Sequence, residues 1–301
     1  FALTMKARAK QRTFFSRDVE PNICVLEPIS FTPAELELLR PQTLASTDVA
    51  LSTKEVDAFW DQFEHADTFG SLIRPEADLI QPLREHLETL DKDRLGAPEL
   101  REQAERVLKQ AEYLTQRYDV AIANPPYMGS KQMNALLSQF MKSEFSDVKQ
   151  DLYGAFVIRG IDLVRSSGLL AIVIGDTWMS IKSFEALRLQ LINGHTFGSF
   201  VHMRDVSNHP DIFGANAAFV LSTTGSPSSP SPFIRLSSLG SGRKEEELQQ
   251  AITKRTSEAG YHLASGEEFS MVPGSPIVYW LSENMRQVFS EYEPLRSVAA
   301  L

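Results

Sequence analysis

Leu169-Leu170-Ala171-Ile172-Val173-Ile174 is an unbroken apolar run. A strand with one wet face alternates apolar and polar side chains, so a run without alternation reads as a strand buried on both faces. Such strands belong to sheets enclosed by helices. Asp119 to Ala123 reads as a second buried strand, and Phe197 to Met203 and Ala217 to Ser222 as two more. Leu152 to Arg165 and Ser183 to Ile192 between them carry helical patterns. This alternation predicts an α/β fold, a mostly parallel sheet with helices on both faces. Ligands of such sheets bind beyond the carboxyl ends of the strands.

Upstream, Asn22 to Leu26 (NICVL) reads as a short buried strand closed by Pro28, with Cys24 as a small core residue. Thr32-Pro33-Ala34-Glu35 is a helix start with Thr as N-cap and Pro in the first turn. Ser52-Thr53-Lys54-Glu55 resembles a capping box, and Phe59, Trp60 and Phe63 follow at helical spacing. Helices are also expected from Pro75 to Leu90 and from Pro98 to Tyr113. Residues 32 to 115 thus form a helical stretch, and from Leu51 to Glu112 it holds 15 Asp/Glu against 8 Lys/Arg. Solvated helix faces account for that charge. Downstream, Ser222 to Pro232 is a Ser/Pro/Gly-rich loop, Phe233 to Leu236 a further strand and Gly242 to Arg255 a charged helix. A new apolar pattern begins at Val272, and Pro276 to Trp280 leads into a last helix.

A net charge of −9 argues against a general polyanion-binding surface and leaves room for a local one. The longest apolar runs are too short to span a bilayer, so no membrane partner is expected. One cysteine and scattered histidines predict neither a disulfide nor a zinc site; the expected compartment is the reducing cytoplasm, with no metal. Phe1, Leu3 and Met5, followed by Lys6, Arg8, Lys10 and Arg12, read as the tail of an amphipathic helix already under way. The expectation is a piece of a longer protein.

The strand Asp119–Ala123 ends in Asn124-Pro125-Pro126-Tyr127. Neither proline can donate to a strand ladder, so the chain must turn into a rigid corner. Asn124 offers a side-chain carbonyl, Pro125 a main-chain carbonyl fixed by rings on both sides, and Tyr127 a flat face. These groups suit an exocyclic amine on an aromatic ring. Two acceptors take its N–H protons and free the lone pair for attack, and preorganised dipoles stabilise the charge that develops on nitrogen. The same tetrapeptide also reads as a Pro-Pro turn with a buried tyrosine. Residues Met128 to Gln150 follow with Lys131, Lys142 and Lys149, which reads either as a mobile lid over DNA phosphates or as an ordinary loop and helix.

Asn124-Pro125-Pro126-Tyr127 resembles the NPPY motif of S-adenosylmethionine-dependent amino-methyltransferases, chiefly the N6-adenine DNA enzymes. Three further blocks resemble theirs in order: Ala66-Asp67-Thr68-Phe69-Gly70-Ser71-Leu72-Ile73, Asp151-Leu152-Tyr153-Gly154-Ala155-Phe156 with Ser167 to Val173, and Asp211-Ile212-Phe213-Gly214-Ala215-Asn216-Ala217. Residues 1 to about 225 look like the large phage-defence adenine methyltransferases of the BREX/phage-growth-limitation type (PglX). The resemblance implies a Rossmann-like methyltransferase sheet lacking its early strands, since neither the Gly-rich cofactor loop nor the ribose-binding acid is visible. It implies a catalytic domain over residues 1–235 with a helical insertion at about 32–115, then residues 236–301 as a linker and the start of a target-recognition region.

The implied cofactor is S-adenosylmethionine, with contacts from Asp67, Phe69 and Asn124. Implied catalytic residues are Asn124, Pro125, Pro126 and Tyr127; Tyr127 and Phe213 would stack on a flipped-out adenine. Implied partners are double-stranded DNA and, in a defence system, other defence proteins or a phage-encoded inhibitor. Two alternatives remain: a protein glutamine methyltransferase, which shares NPPY, and a non-catalytic scaffold binding DNA or an inhibitor. The piece alone is expected to bind the cofactor poorly and to transfer no methyl group.

Overall fold

The computed structural model describes residues 2–16, 22–41, 52–90, 96–203, 215–237 and 241–292. The chain divides into two compact units, Phe1–Thr115 and Gln116–Leu301.

The regular elements among the described residues of the first unit are helices, among them α1 (Ala2–Lys10), α2 (Pro33–Leu39), α3 (Thr53–Asp61), α4 (Ala66–Phe69), α5 (Ala77–Thr89) and α6 (Ala97–Thr115). Reciprocal capping boxes, Thr32 with Glu35 and Ser52 with Glu55, start α2 and α3. Phe59, Trp60 and Phe63 are buried with Leu83, Leu87, Val107 and Leu108 in one apolar core. The NICVL segment is not a strand, and Ile23 and Val25 are exposed. Its two ends are tied to α6 rather than to a ladder: Tyr113 donates to the Asn22 side chain, and Gln110 Oε1 accepts the N–H of Glu27, the next residue, at 2.7 Å. Cys24 is half-buried rather than a core residue, and burial pushes its thiol pKa up.

The second unit is built on six strands. They are β1 (Tyr118–Ala123), β2 (Val164–Gly175), β3 (Thr196–Met203), β4 (Asn216–Ser222), β5 (Ser231–Leu236) and β6 (Tyr261–Ala264), in the order β1-β2-β4-β3-β5-β6. Helices α7 (Ala135–Glu144), α8 (Leu152–Leu163), α9 (Glu185–Gly194), α10 (Lys244–Lys254), α11 (Gly266–Ser270) and α12 (Glu283–Glu291) lie between and after them. The sheet is mixed rather than mostly parallel. β1–β2 and β3–β5 are parallel, whereas β2–β4, β3–β4 and β5–β6 are antiparallel. Apolar pattern marks a strand but not its direction, and β4 enters between β2 and β3 against both.

The register separates two faces. Leu170, Ile172 and Ile174 stand opposite Leu221, Phe219 and Ala217, and Phe219 in turn opposes Phe200. These side chains are buried. Trp178, Phe197, Phe200, Phe219, Phe233 and Tyr279 form one aromatic cluster, with Phe200 and Phe219 stacked at 5.5 Å. On the opposite face Ile234 and Leu236 pack with Ala251 of α10. Val120 and Ile122, paired with Leu169 and Ala171, share that face and are 48% and 80% exposed. The expectation that Leu169 to Ile174 is buried on both faces is therefore wrong for this side, where Leu169 is exposed, and the expected burial of β1 fails there too. Apolarity signalled a lack of polar side chains, not the presence of a cover.

Two contacts lock this unit. Helix α8 crosses β2 so closely that a Cβ at Gly160 would lie 2.6 Å from Leu170 Cδ1. Arg188 of α9 is almost wholly buried, and among the described residues its guanidinium donates to main-chain carbonyls: Trp178 and Ile181 at 2.7 Å each, Gly274 at 2.8 Å and Ser275 at 3.2 Å. Gly274 and Ser275 both have left-handed backbone, φ 79° and 48°. That conformation strains serine, and the arginine holds it in place.

Arg188→Met should therefore strand several buried acceptors. Each such acceptor costs roughly 1–3 kcal/mol, so chemical denaturation should show a loss of at least about 3 kcal/mol; a change under about 1 kcal/mol would remove Arg188 from this role. Gly160→Ala should cost about 1–3 kcal/mol by overpacking against Leu170, read as a lower melting temperature.

Candidate active site

β1 pairs with β2 in parallel as far as Ala123, opposite Ile172. The ladder then stops, because Pro125 and Pro126 have no N–H to continue it. Asn124 and Pro126 are exposed and Pro125 is buried. The corner thus lies at the carboxyl end of a parallel pair.

Tyr127 is partly exposed. Its hydroxyl lies 3.2 Å from the Val173 carbonyl and 3.4 Å from Asn124 Oδ1. A phenol has one hydrogen to donate; the shorter contact takes it, which leaves the Asn124 carbonyl oxygen available. Burial raises the Tyr127 pKa, so the group remains a donor. Beneath it stands Tyr153 of α8, edge-on to Tyr127 at 6.4 Å and stacked on Phe184 at 5.4 Å. The Tyr153 hydroxyl meets Thr177 Oγ1 at 2.7 Å, and burial drives its pKa well above the usual phenol value. The alternative reading, a Pro-Pro turn with a buried tyrosine, is not realised: residues 124–128 form neither a hydrogen-bonded turn nor a bend, Tyr127 is exposed, and the buried aromatic is Tyr153.

The main chain after the corner is stitched to the start of α8. Leu152 N–H donates to Met128 O at 3.0 Å and Ser130 N–H to Gln150 O at 2.8 Å, around a bridge between Gly129 and Asp151. The stretch from Met128 to Gln150 holds α7, anchored by buried Leu137 and Met141, while Lys131, Lys142 and Lys149 are exposed.

At the end of β2 lies a polar chain that sequence reasoning missed. Asp176 Oδ2 accepts from His202 Nε2 at 3.1 Å, and His202 Nδ1 lies 3.0 Å from the Tyr279 hydroxyl. A carboxylate only accepts, so Nε2 carries the proton facing it. Burial raises the Tyr279 pKa and keeps that hydroxyl protonated. The rule that ligands gather at carboxyl ends of strands was the signal that could have found Asp176, which directly follows Gly175.

The remaining predicted residues are placed as follows. Asp67 is exposed in the first turn of α4 and accepts from the Thr68 hydroxyl at 3.3 Å. Phe69 is half-buried, edge-on to His65 at 5.9 Å. Both belong to the helical unit, whereas residues 124–127 belong to the sheet unit. Phe213 lies outside the described residues.

Comparison with known proteins gives two curated relatives. The chain is 30% identical to the adenine-specific methyltransferase BrxX of Escherichia coli O9:H4 (strain HS), over 93% of this chain and 25% of BrxX. It is 23% identical to the adenine-specific methyltransferase PglX of Lacticaseibacillus casei (strain Zhang), over 97% of this chain and 25% of PglX. The chain therefore spans about a quarter of the length of these relatives. Among solved structures it is similar to the Type ISP restriction-modification enzyme LlaGI bound to a DNA substrate mimic, with TM-score 0.44 and 13% identity over 82% of this chain and 22% of LlaGI. It is also similar to the type IIG restriction endonuclease BpuSI, with TM-score 0.42 and 10% identity over 76% of this chain and 35% of BpuSI. The model of the Eco57I restriction-modification methylases matches residues 33–208, more than half of the chain, and the protein belongs to that family.

Proposed function

We propose that this chain is the part of a DNA adenine methyltransferase, acting in phage defence, that carries its amine-binding corner. The observation that carries the reading is the exposed Asn124 side chain at the carboxyl end of β1, beside a tyrosine whose hydroxyl is anchored to Val173. Family membership and the names of the two curated relatives support it.

In this reading Asn124 Oδ1 and the Pro125 carbonyl accept the two N–H groups of adenine N6. Pro125 and Pro126 hold those acceptors rigid, and Tyr127 stacks on the base. The amine is inaccessible within a base pair, so the base must leave the duplex. The acceptors favour a pyramidal nitrogen, whose lone pair attacks and whose surplus proton passes to water. No group at residues 124–127 is ionised, so the corner offers no competing nucleophile and acts through fixed dipoles.

The methyl donor of this reading is S-adenosylmethionine, which when bound supplies a sulfonium methyl group. The sheet unit offers Asn124, an exposed amide, as its contact; Asp67, an exposed carboxylate of the helical unit, and Phe69 are proposed contacts in their own right. Phe213 is the proposed second stacking residue. The partner is double-stranded DNA, joined by other proteins of the defence system or a phage-encoded inhibitor. The cytoplasm is the proposed setting. No described helix is long and apolar enough to cross a membrane.

In the intact protein, Asn124→Ala should lower methyl transfer to unmethylated genomic DNA by ~10²–10³ while leaving the fold and DNA affinity unchanged. Near wild-type transfer would refute the acceptor role, and transfer to a glutamine-bearing protein in place of DNA would refute the substrate. Tyr127→Ala should weaken capture of the flipped base by about 1–3 kcal/mol, seen as a smaller 2-aminopurine fluorescence rise on binding.

A further inference from the structure

Stacking on a base needs a ring held in one plane. Tyr127 is 46% exposed, and its hydroxyl lies 3.2 Å from the Val173 carbonyl. That anchor sits on the ring's own rotation axis, because a phenol oxygen is in line with Cβ and Cγ. It fixes where the axis points and leaves the plane free to turn about it. The torsion concerned is broad in tyrosine, without a sharp preference of its own. The hydrogen bond to Val173 therefore cannot by itself present a fixed face to a base.

A neighbouring ring supplies what the anchor lacks. Among the described residues, the aromatic ring that meets Tyr127 is Tyr153, 6.4 Å away with its plane at 86°. An edge-on pair at this separation is attractive, and turning one ring against the other gives that attraction up. Tyr153 is itself held. It is 3% exposed and stacks on Phe184 at 5.4 Å and 18°. Its hydroxyl meets Thr177 Oγ1 at 2.7 Å. Its Cε1 lies 3.8 Å from where a Cβ at Gly175 would stand, so the main chain at the end of β2 runs along the ring. A Cβ at Gly154 would lie 3.2 Å from Phe184 Cε1, so Phe184 in turn is pressed against the first turn of α8.

We propose that Tyr153 is a positioning residue for base capture: its ring fixes the plane in which Tyr127 meets the flipped-out adenine. Tyr153 is buried and acts through Tyr127, without touching the base. The proposal rests on the adenine methyltransferase reading of the same corner.

A double-mutant cycle separates this role from ordinary core packing. DNA carrying 2-aminopurine at the methylated position reports base capture by the intact protein. Tyr153→Leu keeps an apolar side chain and removes the ring. It should weaken capture about 5-fold, inside the roughly 2- to 12-fold that an aromatic pair contributes. In a Tyr127→Ala background the same substitution should change capture by less than about twofold, the scatter of independent sites. A merely structural loss would be equal in both backgrounds. Tyr153→Phe retains the ring and its stack on Phe184, so it should capture the base within about twofold of the wild type. Should the leucine variant fail to fold, Tyr153→Met, whose flexible chain fills irregular gaps, takes its place in the cycle. Equal losses with and without Tyr127, or no loss in either background, overturn the proposal. So does a Tyr153→Phe protein that captures the base as poorly as Tyr127→Ala, whether or not the leucine variant folds. A wild type that binds the DNA without any 2-aminopurine rise overturns the methyltransferase reading, and the proposal falls with it; a wild type that flips the base without the coupling overturns the proposal alone.

Discussion

Parallel pairing of β1 with β2 is the constraint on which the second unit depends. Two parallel strands cannot be joined by a hairpin; the chain must travel back along the sheet in a dozen or more residues. Here it leaves β1 at Asn124 and returns at Val164. The corner is therefore the opening of the crossover, at the carboxyl end where groups project away from the ladder. Helix α8 is its return leg, pressed against β2 through Gly160. Tyr153 lies on that leg and stands under Tyr127. The pairing thus brings together, from 26 positions apart, an exposed aromatic and the buried one that supports it.

The two faces of this sheet are unequal. One carries a continuous aromatic cluster from Phe197 to Tyr279, where stacked and edge-on rings add directional attraction to burial. The other is packed by α10 over Ile234 and Leu236, while Val120, Ile122 and Leu169 remain exposed. Polar contacts tie the segment around Tyr279 to the carboxyl end of β2. Arg188 gathers the carbonyls of residues 178, 181, 274 and 275, and Tyr279 reaches Asp176 through His202. Burial lowers the Arg188 pKa, yet the cation is retained because its donors meet full carbonyl dipoles.

Much of the local structure was legible in the residues. The helix starts at Thr32 and Ser52 were, because a capping box needs only four consecutive residues. So were the positions of β1, β2, β3 and β4, since apolar runs between turn signals rarely escape a sheet. NICVL was misread because a strand needs a neighbour, and this segment instead is tied to α6 through Asn22 and Tyr113, 91 positions apart. Of the site, the rigid corner and Asn124 could be read directly. Tyr153, Asp176 and His202 could not be joined to it, because their partners are distant in sequence.

By itself, then, the sequence determined where the β1 ladder ends and what chemistry residues 124–127 present: two prolines forbid a ladder, and an amide and a phenol beside them accept and donate hydrogen bonds in any context. Only the tertiary structure decided the direction of β4, the exposure of Ile122, and the choice of Tyr153 rather than Tyr127 as the buried ring. It alone decided that Arg188 binds carbonyls up to 87 positions away. The physical reason is the range of the interactions. Capping and proline geometry act within a few bonds, whereas burial and strand pairing depend on which surfaces meet, and no single stretch of sequence contains both surfaces.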